Sequence, residues 1–142
     1  KTIRSGLRDL QVLKTANSSF AGFIQDEFTT LPETHDRLFG TVVSANWSYS
    51  RPDIDFNCNF TKVREHLTRV FADHCSLSVQ QTLFAMAEGV LAECPLVEEI
   101  HLTLPNKHCL LVDLERFGLE NQNQIFVPTD EPSGYIEARV TR

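Results

Sequence analysis

Between residues 57 and 94 the chain carries two consecutive helical patterns with no strand between them, and period-two segments stand on both sides. In the first pattern Phe60, Val63, Leu67, Val70 and Phe71 recur at helical spacing, while Lys62, Arg64, Glu65 and Arg69 fall mainly on other faces. In the second, Ser78 followed by Gln81 makes a capping-box pattern ahead of Val79, Leu83, Met86, Val90 and Leu91. Pro95 cannot continue a helical hydrogen-bond ladder, so the second helix is predicted to end near Cys94.

The flanking segments read as strands. Residues 9–15 alternate like a half-buried strand. Residues 38–49 put Val43, Ala45, Trp47 and Tyr49 on one face and Val42, Ser44, Asn46 and Ser48 on the other. Ile100, Leu102 and Leu104 form a third alternating run and Leu110, Val112 and Leu114 a fourth, with a polar turn expected over 105–108. After a polar loop at 118–124 and a short extended piece at 125–127, a turn is expected at 130–134 and a closing strand at 135–140. The predicted order is strand, loop, strand, helix, helix, strand, strand. That order implies an α+β fold, an antiparallel four-stranded sheet with both helices packed on one face. Val42 beside Val43, and Leu111 beside Leu110, give strands apolar residues on both sides. The helix-free face is therefore expected to be covered, and closing such sheets side by side into a barrel would also remove their edges. An oligomer follows.

A chain of 142 residues is the size of one domain, taken as 1–142 with one core. Its 13 Lys+Arg are scattered among 19 Asp+Glu for a formal charge of -6, which argues against nucleic acid as a partner. No apolar run is long enough for a membrane span, and residues 1–6 lack the apolar core of a signal peptide. Cys58, Cys75, Cys94 and Cys109 show no metal-ligand spacing, and three of them lie in apolar patterns, which reads as reduced core thiols of an intracellular, cytoplasmic protein. The terminal residues 138–142 do not form a Ser-Lys-Leu type of peroxisomal address. The five histidines stand apart without zinc-motif spacing, no nucleophile motif occurs, and the six glycines make no phosphate loop, so no metal site, nucleophilic triad or phosphate-binding loop is expected.

One constellation remains. Phe20 and Arg37 close the two ends of a long loop, Val79 and Gln80 begin the second helix, and Asn106 and His108 lie between the third and fourth runs. A flat heterocycle with adjacent carbonyl and N–H groups can stack on a phenyl ring, take two donors from a guanidinium and meet the donor and acceptor of an amide, so the set can read a purine edge. Each residue also has an ordinary role: Phe20 in the core, Arg37 in a surface ion pair, Gln80 on a solvated face, Asn106 in a turn and His108 at the surface.

Three segments carry a family resemblance. Residues 13–37, Ser78-Val79-Gln80-Gln81-Thr82-Leu83-Phe84 and Leu104-Pro105-Asn106-Lys107-His108 closely resemble the corresponding stretches of urate oxidase (uricase), in order and with matching intervals from Phe20 to Arg37 and from Gln80 to Asn106. The resemblance implies the tunnelling fold and cofactor-free oxidation of urate by O2 to 5-hydroxyisourate and hydrogen peroxide. It implies that Phe20 stacks on the purine, that Arg37 and Gln80 grip its carbonyl and N–H edge, and that Val79 adds a backbone contact. Asn106 would hold O2 or water over the ring, and His108 would belong to a proton relay. Family chains carry two tunnelling-fold units, assemble as homotetramers and form each site between subunits. This sequence resembles the second unit, and nothing in it matches the Lys/Thr pair by which the first unit helps deprotonate urate. The alternatives are an enzyme half that supplies the clamp and needs the N-terminal half, and a catalytically silent purine-binding or structural module. A third possibility, from other tunnelling-fold enzymes, is pterin or purine binding through an acidic residue on the sheet.

Overall fold

The computed structural model describes residues 2–142; Lys1, the first residue of the polar segment at 1–6, lies outside the described residues. The elements are β1 (Ile3–Lys14), β2 (Phe39–Tyr49), α1 (Phe56–Asp73), α2 (Val79–Glu93), β3 (Val97–Leu111), a short 3-10 turn (Glu115–Phe117) and β4 (Phe126–Thr141). The sheet has the order β1-β2-β3-β4 and every neighbouring pair is antiparallel. Both helices pack on one face, as expected from the α+β pattern. Alternate residues of the two central strands, Phe39, Val43, Ala45 and Trp47 of β2 with Ile100, Leu102 and Leu104 of β3, meet Val63, Leu67 and Phe71 of α1 and Leu83, Met86 and Val90 of α2 in one buried cluster. The buried indole of Trp47 keeps a partner there, donating from Nε1 to the Tyr49 hydroxyl at 2.8 Å.

Helix ends follow the sequence at their starts and depend on distant residues at their finishes. Asp55 caps α1 by accepting from Cys58 N at 2.9 Å, and Ser78 Oγ caps α2 by accepting from Gln81 N at 3.1 Å. Gln81 reaches back one residue further than in the usual capping box, its Oε1 accepting from Leu77 N at 2.8 Å. Neither helix has a basic residue in its last turn. Lys14, at the end of β1 and only 6% exposed, instead donates its Nζ to Ala72 O at 2.5 Å and Phe71 O at 3.4 Å. Arg142, just beyond β4, donates to the carbonyls of Leu91 and Cys94 at the end of α2 and to Val97 O. Each helix C-terminus thus receives a cation from an edge strand, where the unpaired carbonyls concentrate negative charge.

Four expectations need correction. First, residues 105–108 do not turn: β3 runs through them. Pro105 pairs with Tyr135 of β4, while the β2–β3 ladder has no registered pair at Leu104 or Pro105 between Thr103 and Asn106, so that ladder requires no N–H of the proline. Second, residues 130–134 are part of β4. They form a bulge, since Asn106 pairs with Gly134 and His108 with Thr129, leaving Lys107 opposite residues 130–133. Third, β1 begins at Ile3 rather than near Asp9. A register shift between Leu7 and Leu10, with Asp9 at φ 58°, breaks the alternation, and Gly6 lies so close to β2 that a Cβ would meet Asn46 Oδ1 at 2.6 Å and Ala45 O at 2.7 Å. Fourth, of the cysteines only Cys94 is buried. Cys58 and Cys75 are exposed, Cys109 is half-buried, and all four are free thiols.

The helix-free face is mixed. Toward one end it carries Arg4 and Arg139 on either side of Glu99, at 3.9 and 3.8 Å, and His101 3.5 Å from Glu137. Toward the other, Leu13 is exposed and Val42 half-buried near the Lys107–Asp130 pair at 2.8 Å. Among the described residues no helix is long and apolar enough to cross a membrane.

Candidate functional site

The long loop is anchored at its neck. Phe20 and Thr34 exchange backbone hydrogen bonds at 2.6 and 2.9 Å, and Glu33 accepts from Gly22 N at 2.8 Å. Beyond the neck the loop is held by an Asp26 turn, with Ile24, Phe28 and Leu31 exposed. From the neck inward, residues 17–21 run beside 76–77: Ser76 N donates to Asn17 O at 2.9 Å, Ser19 N to Ser76 O at 2.8 Å and Ala21 N to Leu77 O at 3.1 Å. Side chains add to this seam. Ser19 Oγ donates to Ser76 O at 3.0 Å, and Thr82 Oγ1, from inside α2, donates to Ser76 Oγ at 2.7 Å. The segment carrying Phe20 and the helix start carrying Val79 and Gln80 are therefore one bonded unit.

Arg37 is fastened to the same unit. Its backbone N donates to Ser18 O at 3.1 Å and its Nε to Ser19 O at 2.9 Å, and the guanidinium carbon sits 5.2 Å from the Phe39 ring centroid. Its Nη2 is buried with no hydrogen-bond partner among the described residues. Burial pushes the Arg37 pKa below its ordinary value by desolvating the charge. A buried, charged donor without an acceptor is costly unless something supplies one.

The Phe20 ring is half-exposed and stacks on Phe23, with centroids 4.5 Å apart and planes 17° from parallel. Val79 is 3% exposed, so its side chain belongs to the core and only its backbone can face a ligand. Gln80 is exposed. By helix geometry the N–H groups of Val79 and Gln80 have no intrahelical acceptor, and Ser78 Oγ takes that of Gln81 instead.

Asn106 and His108 are half-buried on β3, two apart and so on one side of an extended strand. Asn106 pairs with Thr41 of β2 and Gly134 of β4, and His108 pairs with Thr129 beyond the bulge. Because Arg37 lies just before β2, the ladder leads from it through Gly40 and Thr41 to Lys107 and Asn106. Hydrogen bonds thus join the segments that carry Phe20, Arg37, Val79 and Gln80, and one strand pairing leads on to Asn106; His108 is tied in only by the ladder.

Sequence reading missed the residues that hold these segments together. Ser19, Ser76 and Thr82 left no pattern, since short polar residues around a helix start read as ordinary loop chemistry. Thr41 did leave one: it is the polar interruption of the dry face Phe39, Val43, Ala45 and Trp47.

A four-stranded antiparallel sheet with two consecutive helices on one face, joined between its second and third strands, is a unit of the tunnelling fold. The uricase family model matches residues 3–137, and the chain belongs to the uricase family. It is 44% identical to the uricase of Dictyostelium discoideum over 138 residues, 97% of this chain and 48% of that protein. It is likewise 44% identical to the uricase of Arthrobacter globiformis over 142 residues, covering 100% of this chain and 47% of that one. The crystal structure of the Arthrobacter globiformis uricase superposes with a TM-score of 0.95 over 99% of this chain and 49% of its own. Urate oxidase from Bacillus sp. TB-90, 27% identical, superposes at 0.82 over 98% of this chain and 47% of its own. The chain spans about half the length of the curated relatives it matches.

Proposed function

We propose that residues 1–142 are one tunnelling-fold unit, the second half of a urate oxidase, and supply the substrate clamp of a cofactor-free oxidation of urate by O2 to 5-hydroxyisourate and hydrogen peroxide. The observation that carries this reading is Arg37: a guanidinium fixed through Nε and partly desolvated, with a second donor buried and unpaired beside an aromatic ring. A planar, delocalised anion with carbonyl oxygens at its edge satisfies that donor and gains a charge-assisted bond. Urate has this shape and charge. Phe20 stacks on the purine, and Gln80 with the Val79 backbone reads the remaining carbonyl and N–H groups.

The chemistry asked of the chain is orientation and electrostatics. Urate gives up two electrons to O2, and water adds to the oxidised ring. Asn106 holds O2, and then the water, over the ring face. His108 passes protons at the edge of the site. The base that deprotonates urate comes from the N-terminal tunnelling-fold half of the same or a neighbouring subunit, in a homotetramer. The four free thiols support a reducing, cytoplasmic location.

A second reading rests on the half-length coverage of the relatives: a silent purine-binding or structural module that keeps the clamp without the base. Pterin capture by an acid on the sheet has less support, because Glu99 is already flanked by two arginines. The test is the natural protein that carries this chain. Its intact mass is measured first, under native and denaturing conditions, and then loss of urate absorbance and release of hydrogen peroxide in air. A single chain about twice as long, or a partner of similar size, together with stoichiometric peroxide, is the expected result. A species of 16.1 kDa that binds urate without oxidising it would make the silent module correct.

A further inference from the structure

On the helix-facing side of β2 the sequence Phe39, Thr41, Val43, Ala45, Trp47 has one polar member, and it is as dry as the rest. Thr41 is 3% exposed, and its Oγ1 is buried with no hydrogen-bond partner among the described residues. Its same-side neighbours along the strand are the fully buried Phe39 and Val43, and its partner on β1 is Val12. Its partner on β3 is Asn106. Directly paired residues of antiparallel strands hold their Cβ atoms about 4.5 to 5.5 Å apart, which brings a threonine hydroxyl within reach of an asparagine carboxamide. Of these four sheet neighbours, Asn106 alone has a side chain able to bond the hydroxyl.

We propose that Thr41 is a positioning residue that holds the Asn106 carboxamide with its Nδ2 end toward the ligand. Its hydroxyl donates to Asn106 Oδ1 and so leaves the Nδ2 hydrogens directed outward. That polarity suits the reaction: O2 accumulates negative charge as it takes electrons from urate, and N–H donors stabilise that charge where a carbonyl oxygen would repel it. The two ends of a carboxamide are nearly the same size and a hydroxyl can pair with either, so the charge building on the oxygen favours Nδ2 outward while Thr41 keeps the inward Oδ1 paired. The bond is unmade without ligand and closes when the occupied site orders Asn106. This inference rests on the reading of Asn106 as the residue that holds O2.

The experiment compares Thr41→Val, Thr41→Ser and Asn106→Ala in the natural urate-oxidising protein. Initial rates are followed against O2 at saturating urate and against urate at saturating O2, with binding of 8-azaxanthine and melting temperature measured in parallel. Valine keeps the branched shape of threonine and removes only the hydroxyl. Thr41→Val is expected to lower kcat/KM for O2 about tenfold while urate KM and 8-azaxanthine affinity stay within about twofold, and Thr41→Ser to recover most of the loss. Unchanged O2 dependence in Thr41→Val overturns the proposal. So does an equal loss for urate and O2, which is a structural effect, or a serine variant as impaired as the valine one. If Asn106→Ala also leaves the O2 dependence intact, the reading of Asn106 itself has failed; if it alone is impaired, only the role of Thr41 has.

Discussion

The two sides of the candidate site are held in different ways. On the helix side, Phe20, Arg37 and the start of α2 are locked by backbone bonds between residues 17–21 and 76–77 and by the hydroxyls of Ser19, Ser76 and Thr82. On the strand side, Asn106 and His108 sit on a ladder that loses register between them. One side is fixed before a ligand arrives, while the other keeps the Asn106 carboxamide with an unpaired hydroxyl on the adjacent strand. The difference suits a site that must grip a rigid plane in one place and follow a small, changing species in the other. Preorganisation lowers the cost of binding the plane.

The largest effect expected from breaking this arrangement is on the seam. Ser76→Ala removes the acceptor of the Thr82 hydroxyl and leaves that buried group unpaired, and it should destabilise the chain by about 2 kcal/mol in a urea titration while weakening 8-azaxanthine binding. If stability falls and binding does not, the seam serves the fold alone. Lys14→Met should cost about 1 to 2 kcal/mol, because the carbonyls of Phe71 and Ala72 lose their donor at the end of α1. Its effect on ligand affinity should be smaller than that of Ser76→Ala, since it loosens α1 and only indirectly the residues that follow it.

The smallest effect lies on the strand side. A hydrogen bond from Lys107, then its charge, holds the Asp130 carboxyl below the usual carboxylate range. A depressed folded pKa means a contribution present above the unfolded value and lost as pH falls through the folded one. The difference in stability between the natural chain and Lys107→Met should therefore be small at neutral pH, since the pair is exposed, and should shrink as pH is lowered through the acid range. A difference that grows on acidification would show that the bulge is held by something else.

What could be read in advance follows from how local each cause is. The start of α2 was legible because Ser78 and Gln81 lie within one turn of each other, and its end because Pro95 acts on its own backbone. The dry face of β2 was legible because Trp47 and its neighbours alternate without interruption. By contrast β3 was read as two strands with a turn, since a proline permitted by a gap in one ladder looks from sequence like a proline ending a strand. The bulge opposite Lys107 depends on where β4 pairs, about which residues 130–134 alone say nothing. The candidate site residues Phe20, Arg37, Val79, Gln80, Asn106 and His108 rest on the family resemblance. Their spacing left each with an ordinary role, and the unpaired donor on Arg37 arises from burial that no local pattern records. Lys14 and Arg142 were missed as helix caps because each reaches a helix far away in the chain.

The central claim is that the unpaired Arg37 donor recognises the edge of a planar purine anion. The most direct measurement is an ultraviolet difference titration of the natural protein with 8-azaxanthine, comparing the natural residue with Arg37→Lys. Lysine keeps the charge and loses the planar fork, so affinity should drop by about 2 kcal/mol, roughly thirtyfold, with the melting temperature little changed. Binding as tight in Arg37→Lys as in the natural protein would contradict the claim.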